Sequence, residues 1–347
     1  MSTTTNIADG IGSLEELYAT LPALNYEPLW TMKGALTPEP ATSMVPVLWH
    51  YAEIRDLIMR AGELISAEDA DRRVLAMKNP GCSPHEIARA TDTLWAAMQL
   101  VLPGEVAPPH RHTAAALRYI VEGSGGYTVV DGRRVDMHKG DFLLTPNWSW
   151  HEHGHAGEGP MIWLDGLDMP MVSTLRLIFA DFGGGPEATK PEAAAPLRSG
   201  ELKPRWAGAE EASTLVWKLE DVETVLEELR EEQGSPFDDL IVEYRDPRTN
   251  GPVMTTMSAY MQLLRPGVET EAHRHTSSAV YHVVRGSGAS VIGGERLDWV
   301  EGDTFALPTW AEHRHLNTGS GDALLFSFSD EPAVDALGLL RERPSAA

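Results

Sequence analysis

The sequence predicts a mainly β protein with two jelly-roll β-barrels and with helical segments before and between them. The first observation behind this prediction is an internal repeat, in which residues 98–112 read MQLVLPGEVAPPHRH and residues 261–275 read MQLLRPGVETEAHRH. Downstream, a glycine, a proline, a tryptophan and a histidine recur in the same order, at Gly140, Pro146, Trp148 and His151 and at Gly302, Pro308, Trp310 and His313. A repeat of this length in a chain of 347 residues indicates two copies of one domain.

The second observation is a run of short segments with β-strand character. LRYIVEG and YTVVDGRRVD are rich in β-branched and aromatic residues, and the Asp131-Gly132 pair is a strong hairpin signal. GDFLLTP and MIWLDGLD follow, and similar segments resume near Tyr260 and run to Ser329. Short antiparallel strands in close succession are typical of a barrel or a jelly roll.

Helical patterns occupy the rest of the chain. Ser13 followed by Glu16 forms a capping box, residues 50–64 carry apolar residues at helical spacing, and Ser83-Pro84 is typical of a helix start. Further helices are predicted at residues 171–182, 221–232 and 332–342. We therefore expect a helical N-terminal extension (1–90), a first barrel (91–170), a helical connector (171–250) and a second barrel with a C-terminal helix (251–347).

The composition argues against several classes of function. A net charge of −23 disfavours nucleic acid as a partner, because binding to phosphate requires a basic surface. No apolar run is long enough to span a membrane, and the N-terminal residues do not resemble a signal peptide. The single cysteine, Cys82, excludes an internal disulfide and fits a reducing compartment, so we expect a cytoplasmic protein.

The repeated histidines predict a metal site in each copy. Residues two apart on a β-strand point to the same face, so both histidines of an HRH pair face one point, and a third histidine from another strand completes the set. The two sets are His110, His112 and His151 in the first copy and His273, His275 and His313 in the second. A single HRH pair is commonly a surface or core feature, but recurrence with the same glycine, proline and third histidine favours metal ligands.

These motifs resemble the two sequence motifs of cupin domains. In the first copy the matching residues are Gly104, His110, His112, Gly123, Gly140, Pro146 and His151. Tryptophan replaces the inner glycine of the second motif, and Ala116 and Ala279 stand where cupins commonly have a glutamate ligand. Three histidines without a carboxylate leave the metal dicationic with three open positions, which suits a bidentate anionic substrate and O2 on Fe(II).

Longer segments resemble one family more closely, the gentisate 1,2-dioxygenases, which include enzymes acting on salicylate and 1-hydroxy-2-naphthoate. The resemblance rests on LPGEVAPPHRHTAAALRYIVEG, GDFLLTP and WLDGLDMP, and extends to DRRVLAMKNPG upstream and to the second barrel. It implies a bicupin fold, Fe(II) in the first cupin, and a small aromatic carboxylate and O2 as substrates. It further implies that gentisate is opened to maleylpyruvate, and that the protein is a homotetramer.

The same resemblance implies roles for particular residues. Arg118 would bind the substrate carboxylate, although an arginine on a strand commonly reaches solvent instead. Arg72 matches a substrate-binding arginine of the family, and a solvated pair with Arg73 is the alternative. His153 would hydrogen-bond the substrate hydroxyl and move its proton, and Asp165 would orient a histidine. Trp95 and Gln99 would line the pocket and bind substrate.

Two questions stay open at the level of sequence. The preferred substrate is gentisate, salicylate or 1-hydroxy-2-naphthoate, and the size of the pocket around Trp95 and Val74 decides between them. The second copy has Tyr281 at the position of Arg118 and Ser327 at that of Asp165, so it either binds metal without cleaving a ring or retains its histidines by descent. A non-catalytic metal-binding bicupin, used for storage or sensing, is the alternative from another class.

Overall fold

The computed structural model describes residues 7–34, 36–70, 72–84, 86–182 and 216–345, and the chain divides into two compact units, Met1–Ala41 and Thr42–Ala347. The described part of the small unit contains α1 (Leu14–Thr20) and three turns of 3-10 helix (Ile7–Gly10, Leu21–Leu24 and Leu29–Thr31). The predicted cap of α1 is confirmed, because Ser13 Oγ accepts a hydrogen bond from the Glu16 amide at 3.2 Å.

The large unit begins with strand β1 (Val47–Trp49) and helices α2 (Tyr51–Leu64) and α3 (Ala67–Ala70). The prediction of a helix starting at Ser83 is wrong, because the described residues that come directly after Ser83 do not form one. The buried Asn79 side chain instead donates hydrogen bonds to the carbonyls of Val45 and Ala90, at 2.8 and 2.9 Å. Such long-range bonds satisfy backbone carbonyls of the segment without a helix.

The first barrel is built from two antiparallel sheets. Its strands are β2 (Arg73–Ala76), β3 (Trp95–Val101), β4 (Val106–His112), β5 (Ala116–Glu122), β6 (Ser124–Val130), β7 (Arg133–His138), β8 (Phe142–Thr145), β9 (His151–His155), β10 (Met161–Leu167), β11 (Ala180–Phe182) and β12 (Val216–Trp217). One sheet has the order β12-β8-β5-β10-β3-β2 and the other the order β11-β4-β9-β6-β7. Helix α4 (Met169–Thr174) lies between β10 and β11, and α5 (Leu219–Glu228) follows β12.

The second barrel repeats this arrangement. Its strands are β13 (Leu240–Asp246), β14 (Gly251–Pro252), β15 (Ser258–Leu264), β16 (His273–His275), β17 (Ala279–Arg285), β18 (Ser287–Ile292), β19 (Glu295–Val300), β20 (Thr304–Leu307), β21 (His313–Asn317), β22 (Ala323–Ser329) and, after α6 (Glu331–Ala336), β23 (Glu342–Pro344). One sheet has the order β1-β20-β17-β22-β15-β13-β14 and the other the order β19-β18-β21-β16-β23. The predicted mainly β fold with two barrels is confirmed.

Two predicted helices are shorter than expected, for a common reason. The chain predicted as a helix at residues 171–182 ends in β11, and the helix predicted at 332–342 ends in β23. Each of these short strands pairs with the strand that carries an HRH motif, β4 and β16 respectively. Residues 183–215, in the middle of the predicted connector, lie outside the described residues, and the predicted domain limits stay a prediction.

Alternating side chains of the first barrel contribute to two different cores. Leu117 and Tyr119 of β5 face the second barrel, where the Tyr119 ring stacks on Phe326 with centroids 4.5 Å apart. Ile120, on the opposite face of β5, packs inside the first barrel with the buried Trp163. Side chains two residues apart share a face, so Arg118 points into the barrel with Ile120.

Candidate functional site

Strands β4 and β9 bring the first histidine set together inside the first barrel. His110 and His151 are direct cross-strand partners, and His112 follows His110 on the same face of β4. The three potential ligand nitrogens lie within 4.8 Å of one another. His110 and His151 are 5% and 2% exposed, so these two side chains are nearly removed from water, whereas His112 is half-buried.

Hydrogen bonds to backbone carbonyls orient two of these rings. His112 Nδ1 lies 2.7 Å from the Ala114 carbonyl oxygen, and His151 Nδ1 lies 2.9 Å from that of Ser149. A carbonyl only accepts, so Nδ1 carries the proton in both rings and each Nε2 has a free lone pair. His151 Nε2 is buried with no hydrogen-bond partner, which is the state expected of a nitrogen that binds a metal.

The charge state of the cluster also fits a transition metal. Burial lowers the pKa of His110 to about 3, and the nearby Arg72 guanidinium adds to this fall. Burial likewise lowers the pKa of His112 and of His151. The three imidazoles are therefore neutral near pH 7, as metal binding requires.

Arg72 lies beside the third ring. Its Nη2 is 2.6 Å from His110 Nδ1, and the Pro108 carbonyl oxygen is 3.4 Å from the same nitrogen. A guanidinium only donates and a carbonyl only accepts, so these two contacts favour opposite tautomers of His110. The Arg72 contact places a cationic group directly beside the cluster.

The turn before the third histidine contains the tryptophan that replaces a glycine of the cupin motif. Trp148 and Trp310 have φ values of 62° and 63°, in the left-handed region that favours glycine. Their amides donate hydrogen bonds of 2.8 Å to the carbonyls of His112 and His275. In both barrels this turn ties the loop of the third histidine to the second histidine, and tryptophan adopts a backbone conformation usual for glycine.

Arg118 and Asp165 form a buried ion pair in the first barrel. They are cross-strand partners on β5 and β10, and Arg118 Nε lies 3.1 Å from Asp165 Oδ1. Arg118 also donates a hydrogen bond to Thr145 Oγ1. Burial raises the pKa of Asp165 to about 6 while the Arg118 charge opposes the rise, and burial lowers the pKa of Arg118. Asp165 thus pairs with an arginine, whereas the sequence suggested a histidine.

Three further predicted residues lie in or near this interior. His153 is 1% exposed, its Nδ1 has no hydrogen-bond partner, and its ring lies 5.6 Å from both His151 and Trp163, measured between centroids. Gln99 is buried opposite Trp163, and its Nε2 also has no partner. Trp95 is half-buried at the start of β3, on the same face as Gln99.

A small buried side chain, Ala116, occupies the position at which cupins commonly have a glutamate ligand. Ala116 is 1% exposed and lies on β5, two residues before Arg118 and on the same face. Among the described residues, no carboxylate oxygen joins the first histidine cluster within 4.8 Å. The first cluster is therefore an all-imidazole set beside two guanidinium groups.

The second histidine set has the same geometry in a different setting. The potential ligand nitrogens of His273, His275 and His313 lie within 4.8 Å of one another, and His275 and His313 are oriented by carbonyls at 2.9 and 3.0 Å. At the position of Arg118, the Tyr281 ring stacks on Phe305 with centroids 4.9 Å apart. No arginine enters this interior at that position, so the two barrels differ in charge.

Substitution of Arg118 tests whether the ion pair is structural. Arg118→Met is expected to lower the free energy of unfolding by about 3–5 kcal/mol, because Asp165 would be left buried without its counter-charge. Adding Asp165→Asn removes the remaining charge, so the double variant should regain most of this loss. Urea denaturation measures both. Equal stability of the single and double variants would mean that the two side chains are not coupled.

Sequence reasoning missed two features of the site. Thr145, on β8, contacts Arg118, and the only sequence feature that could have indicated this is its position at the end of a predicted strand. Glu342 lies 3.8 Å from His273, measured from Oε1 to Nε2, and falls outside the repeated motif in a segment predicted as helix.

In the part of the chain that the structure describes, no helix is long and apolar enough to cross a membrane.

Comparisons with known proteins agree with this architecture. The cupin domain model matches residues 97–167 and 260–329. Gentisate 1,2-dioxygenase 1 of Aquipseudomonas alcaligenes is 37% identical, over 94% of this chain and 95% of that protein. The 1-hydroxy-2-naphthoate 1,2-dioxygenase of Nocardioides sp. (strain KP7) is 36% identical, over 91% of this chain and 82% of that protein.

Solved structures lead to the same group of proteins. The salicylate 1,2-dioxygenase of Pseudaminobacter salicylatoxidans superposes with a TM-score of 0.86 at 33% identity, covering 95% of this chain and 97% of that one. A structure of that enzyme described as an adduct with gentisate gives a TM-score of 0.87 at 32% identity, covering 100% and 98% of the two chains. With its two cupin regions and these near full-length relatives, the chain belongs to the gentisate 1,2-dioxygenase family of bicupin ring-cleaving dioxygenases.

Proposed function

We propose that this protein is an Fe(II)-dependent gentisate 1,2-dioxygenase that opens gentisate to maleylpyruvate with both atoms of O2. The observation that carries the proposal is the first cluster, in which three neutral imidazoles lie beside Arg118 and Arg72 and no carboxylate of the described residues joins them. This arrangement favours a metal that keeps its full positive charge and an anionic ligand that chelates it. Family membership supplies the reaction class.

The iron would be held by His110, His112 and His151. When bound there, Fe(II) supplies a Lewis acid for the substrate oxygens and a centre that activates O2. The all-imidazole donor set fits this metal, because imidazole suits iron and open positions are typical of non-haem Fe(II) oxygenases.

Arg118 and Arg72 would bind the substrate carboxylate. Arg118 is held from two sides by Asp165 and Thr145, so its guanidinium is ordered before the substrate arrives. Asp165 is in this reading a positioning residue for Arg118. Arg72 would reach the carboxylate after its contact with His110 opens.

His153 would accept a hydrogen bond from the substrate hydroxyl and help to move its proton. Its Nδ1 has no hydrogen-bond partner, which supports this role. Burial lowers the pKa of His153 well below its usual value, so the ring is neutral and one of its nitrogens can accept a hydrogen bond. Gln99 and Trp95 would form the wall of the pocket, with Gln99 Nε2 free to donate to a substrate oxygen.

An oxygen-uptake assay tests the proposed reaction. The Fe(II)-loaded protein is mixed separately with gentisate, salicylate and 1-hydroxy-2-naphthoate, and the ring-opened product is identified by mass. We expect the highest kcat/KM with gentisate and one O2 consumed for each ring opened. A higher value with salicylate, the second candidate because of the structural neighbours, would reassign the substrate. No uptake with any of them would favour a non-catalytic bicupin.

The role of Arg118 in substrate binding is tested in the stability-matched double variant Arg118→Met, Asp165→Asn. Hydrogen bonds to a charged group contribute about 1.5–3 kcal/mol, so kcat/KM for gentisate should fall roughly ten- to a hundredfold, mainly through KM. Metal content should stay normal. Hydroquinone, which lacks the carboxylate, serves as a control, and its inhibition constant should not change. An unchanged KM for gentisate would leave Arg118 with a structural role alone.

We also propose a cytoplasmic homotetramer. The single cysteine supports a reducing compartment. Light scattering coupled to gel filtration should give four times the chain mass of 38.0 kDa.

A further inference from the structure

The C-terminal strand places a carboxylate next to the second histidine cluster. Strand β23 pairs with β16, and Glu342 is the cross-strand partner of His275. Partners in an antiparallel pair project to the same face, so Glu342 faces the side on which His273 and His275 lie. Its Oε1 is 3.8 Å from His273 Nε2.

The first barrel has no such group at the matching position. Strand β11 pairs with β4 as β23 pairs with β16, and there Ala180 is the partner of His112. The two barrels thus have the same pair of strands, with an alanine in one and a glutamate in the other. The carboxylate that commonly completes a cupin site is absent at Ala279, but Glu342 approaches the cluster from another strand.

The surroundings of the second cluster are acidic where those of the first are basic. Glu331 lies near Glu342: burial raises the pKa of Glu331, and the Glu243 and Glu342 carboxylates add to the rise. Asp238 lies near His275: burial raises its pKa, and a hydrogen bond from Ser235 and the His275 ring oppose the rise. Negative charge around the histidine cluster favours a cation and disfavours an aromatic carboxylate.

We propose that the second cluster is a divalent transition-metal site with four protein ligands, His273, His275, His313 and Glu342. The separation of 3.8 Å between Glu342 Oε1 and His273 Nε2 is shorter than two metal–ligand bonds of about 2.1 Å placed end to end, so one ion can bind both. The Glu342 carboxylate lies outside the group formed by the three histidine nitrogens within 4.8 Å of one another, so its exposed side chain would turn toward the ion on binding. The free lone pair on His313 Nε2, whose ring Nδ1 faces the Ala311 carbonyl, points to the same conclusion, and the Ser277 carbonyl and hydroxyl oxygens both lie 2.9 Å from His275 Nδ1. Histidine with one carboxylate suits Fe(II), Mn(II), Co(II) or Zn(II).

This site would hold its metal without binding a chelating substrate. Glu342 neutralises part of the metal charge and takes a coordination position, and Tyr281 stands where Arg118 stands in the first barrel. The metal would also link β23 to β16 and β21, so that the last strand is part of a coordination site. The inference concerns the second barrel alone and does not depend on the proposed ring cleavage.

The test uses Co(II) as a spectroscopic probe in the full-length His110→Ala, His151→Ala variant, which lacks the first cluster. We expect one Co(II) per chain, with a d–d absorption band that yields the Kd. Adding Glu342→Gln should raise this Kd at least tenfold and shift the band, because an anionic ligand is lost. Adding His273→Ala should abolish binding.

Glu269→Gln in the same background is the matched control. Glu269 and Glu342 are equally exposed, at 55% and 56%, and each lies beside a basic or imidazole group, but Glu269 pairs with Arg314. Its substitution should leave the Kd and the band unchanged, and metal-free melting curves should coincide for both glutamine variants. If the background variant binds no Co(II), or if Glu342→Gln binds it like Glu269→Gln, the proposal is wrong. Since no turnover is measured, failure here leaves the proposed dioxygenase activity untouched.

Discussion

His110→Ala and His151→Ala are each expected to abolish ring cleavage and to remove one metal ion per chain. Both side chains are buried in the first cluster, and two remaining imidazoles cannot hold a metal with three open positions in a fixed orientation. Oxygen uptake with gentisate and metal analysis of the same samples measure the two effects together. Removing one ligand should thus cost activity through loss of metal, with little change in the far-UV circular dichroism.

The second barrel provides a matched control for this prediction. His273 and His313 are 3% and 1% exposed and occupy the corresponding strand positions, so His273→Ala and His313→Ala disturb their barrel to a similar degree. These variants should retain turnover and lose the other metal ion. Activity that survives in His110→Ala and His151→Ala but disappears in the controls would assign catalysis to the second barrel.

Ala116→Glu is expected to give a protein that retains its metal but is nearly inactive. The residue is buried on the interior face of β5, at the position where cupins commonly carry a glutamate ligand. A carboxylate there adds an anionic ligand, so metal should be held at least as tightly. It also reduces the positive charge and competes with the carboxylate of the substrate for the metal. Metal stoichiometry and oxygen uptake, measured side by side, test both parts.

Two variants separate charge from steric effects. Ala116→Gln has the same size without the negative charge, so it should lose less activity than Ala116→Glu if coordination is the cause. Ala279→Glu makes the same change at the matching position of the second barrel and should leave turnover near that of the parent. Parent-level turnover in a metal-replete Ala116→Glu protein would refute the requirement for an all-imidazole site.

Local features of the sequence predicted much of the site. The HRH pairs, the third histidines and the glycine and proline positions around them recur at nearly constant spacing, and the structure brings each set within 4.8 Å. The alternation of side chains along a strand is a property of the backbone, so it can be inferred before any strand pairing is known. The replacement of glycine by Trp148 and Trp310 was also visible, although its left-handed backbone was not.

The pairing of residues distant in the chain required the tertiary structure. Arg118 and Asp165 were each singled out, but their contact depends on the register of β5 against β10, which no local pattern specifies. In the segment predicted as a helix at 332–342, the helix ends at Ala336, and Glu342 begins β23, which pairs with the edge of β16.

The sequence by itself therefore determined the duplicated β fold, the two histidine sets and the family, since these depend on repeats and on spacing within single segments. Only the tertiary structure decided the surroundings that distinguish the two sets: Arg118 is held by Asp165 in one barrel, and Glu342 lies beside His273 in the other. The physical reason is that the interaction between charges depends on their separation in space and not on their separation along the chain. Two clusters with the same histidine spacing acquire opposite electrostatic environments from side chains on strands that are far away in the chain.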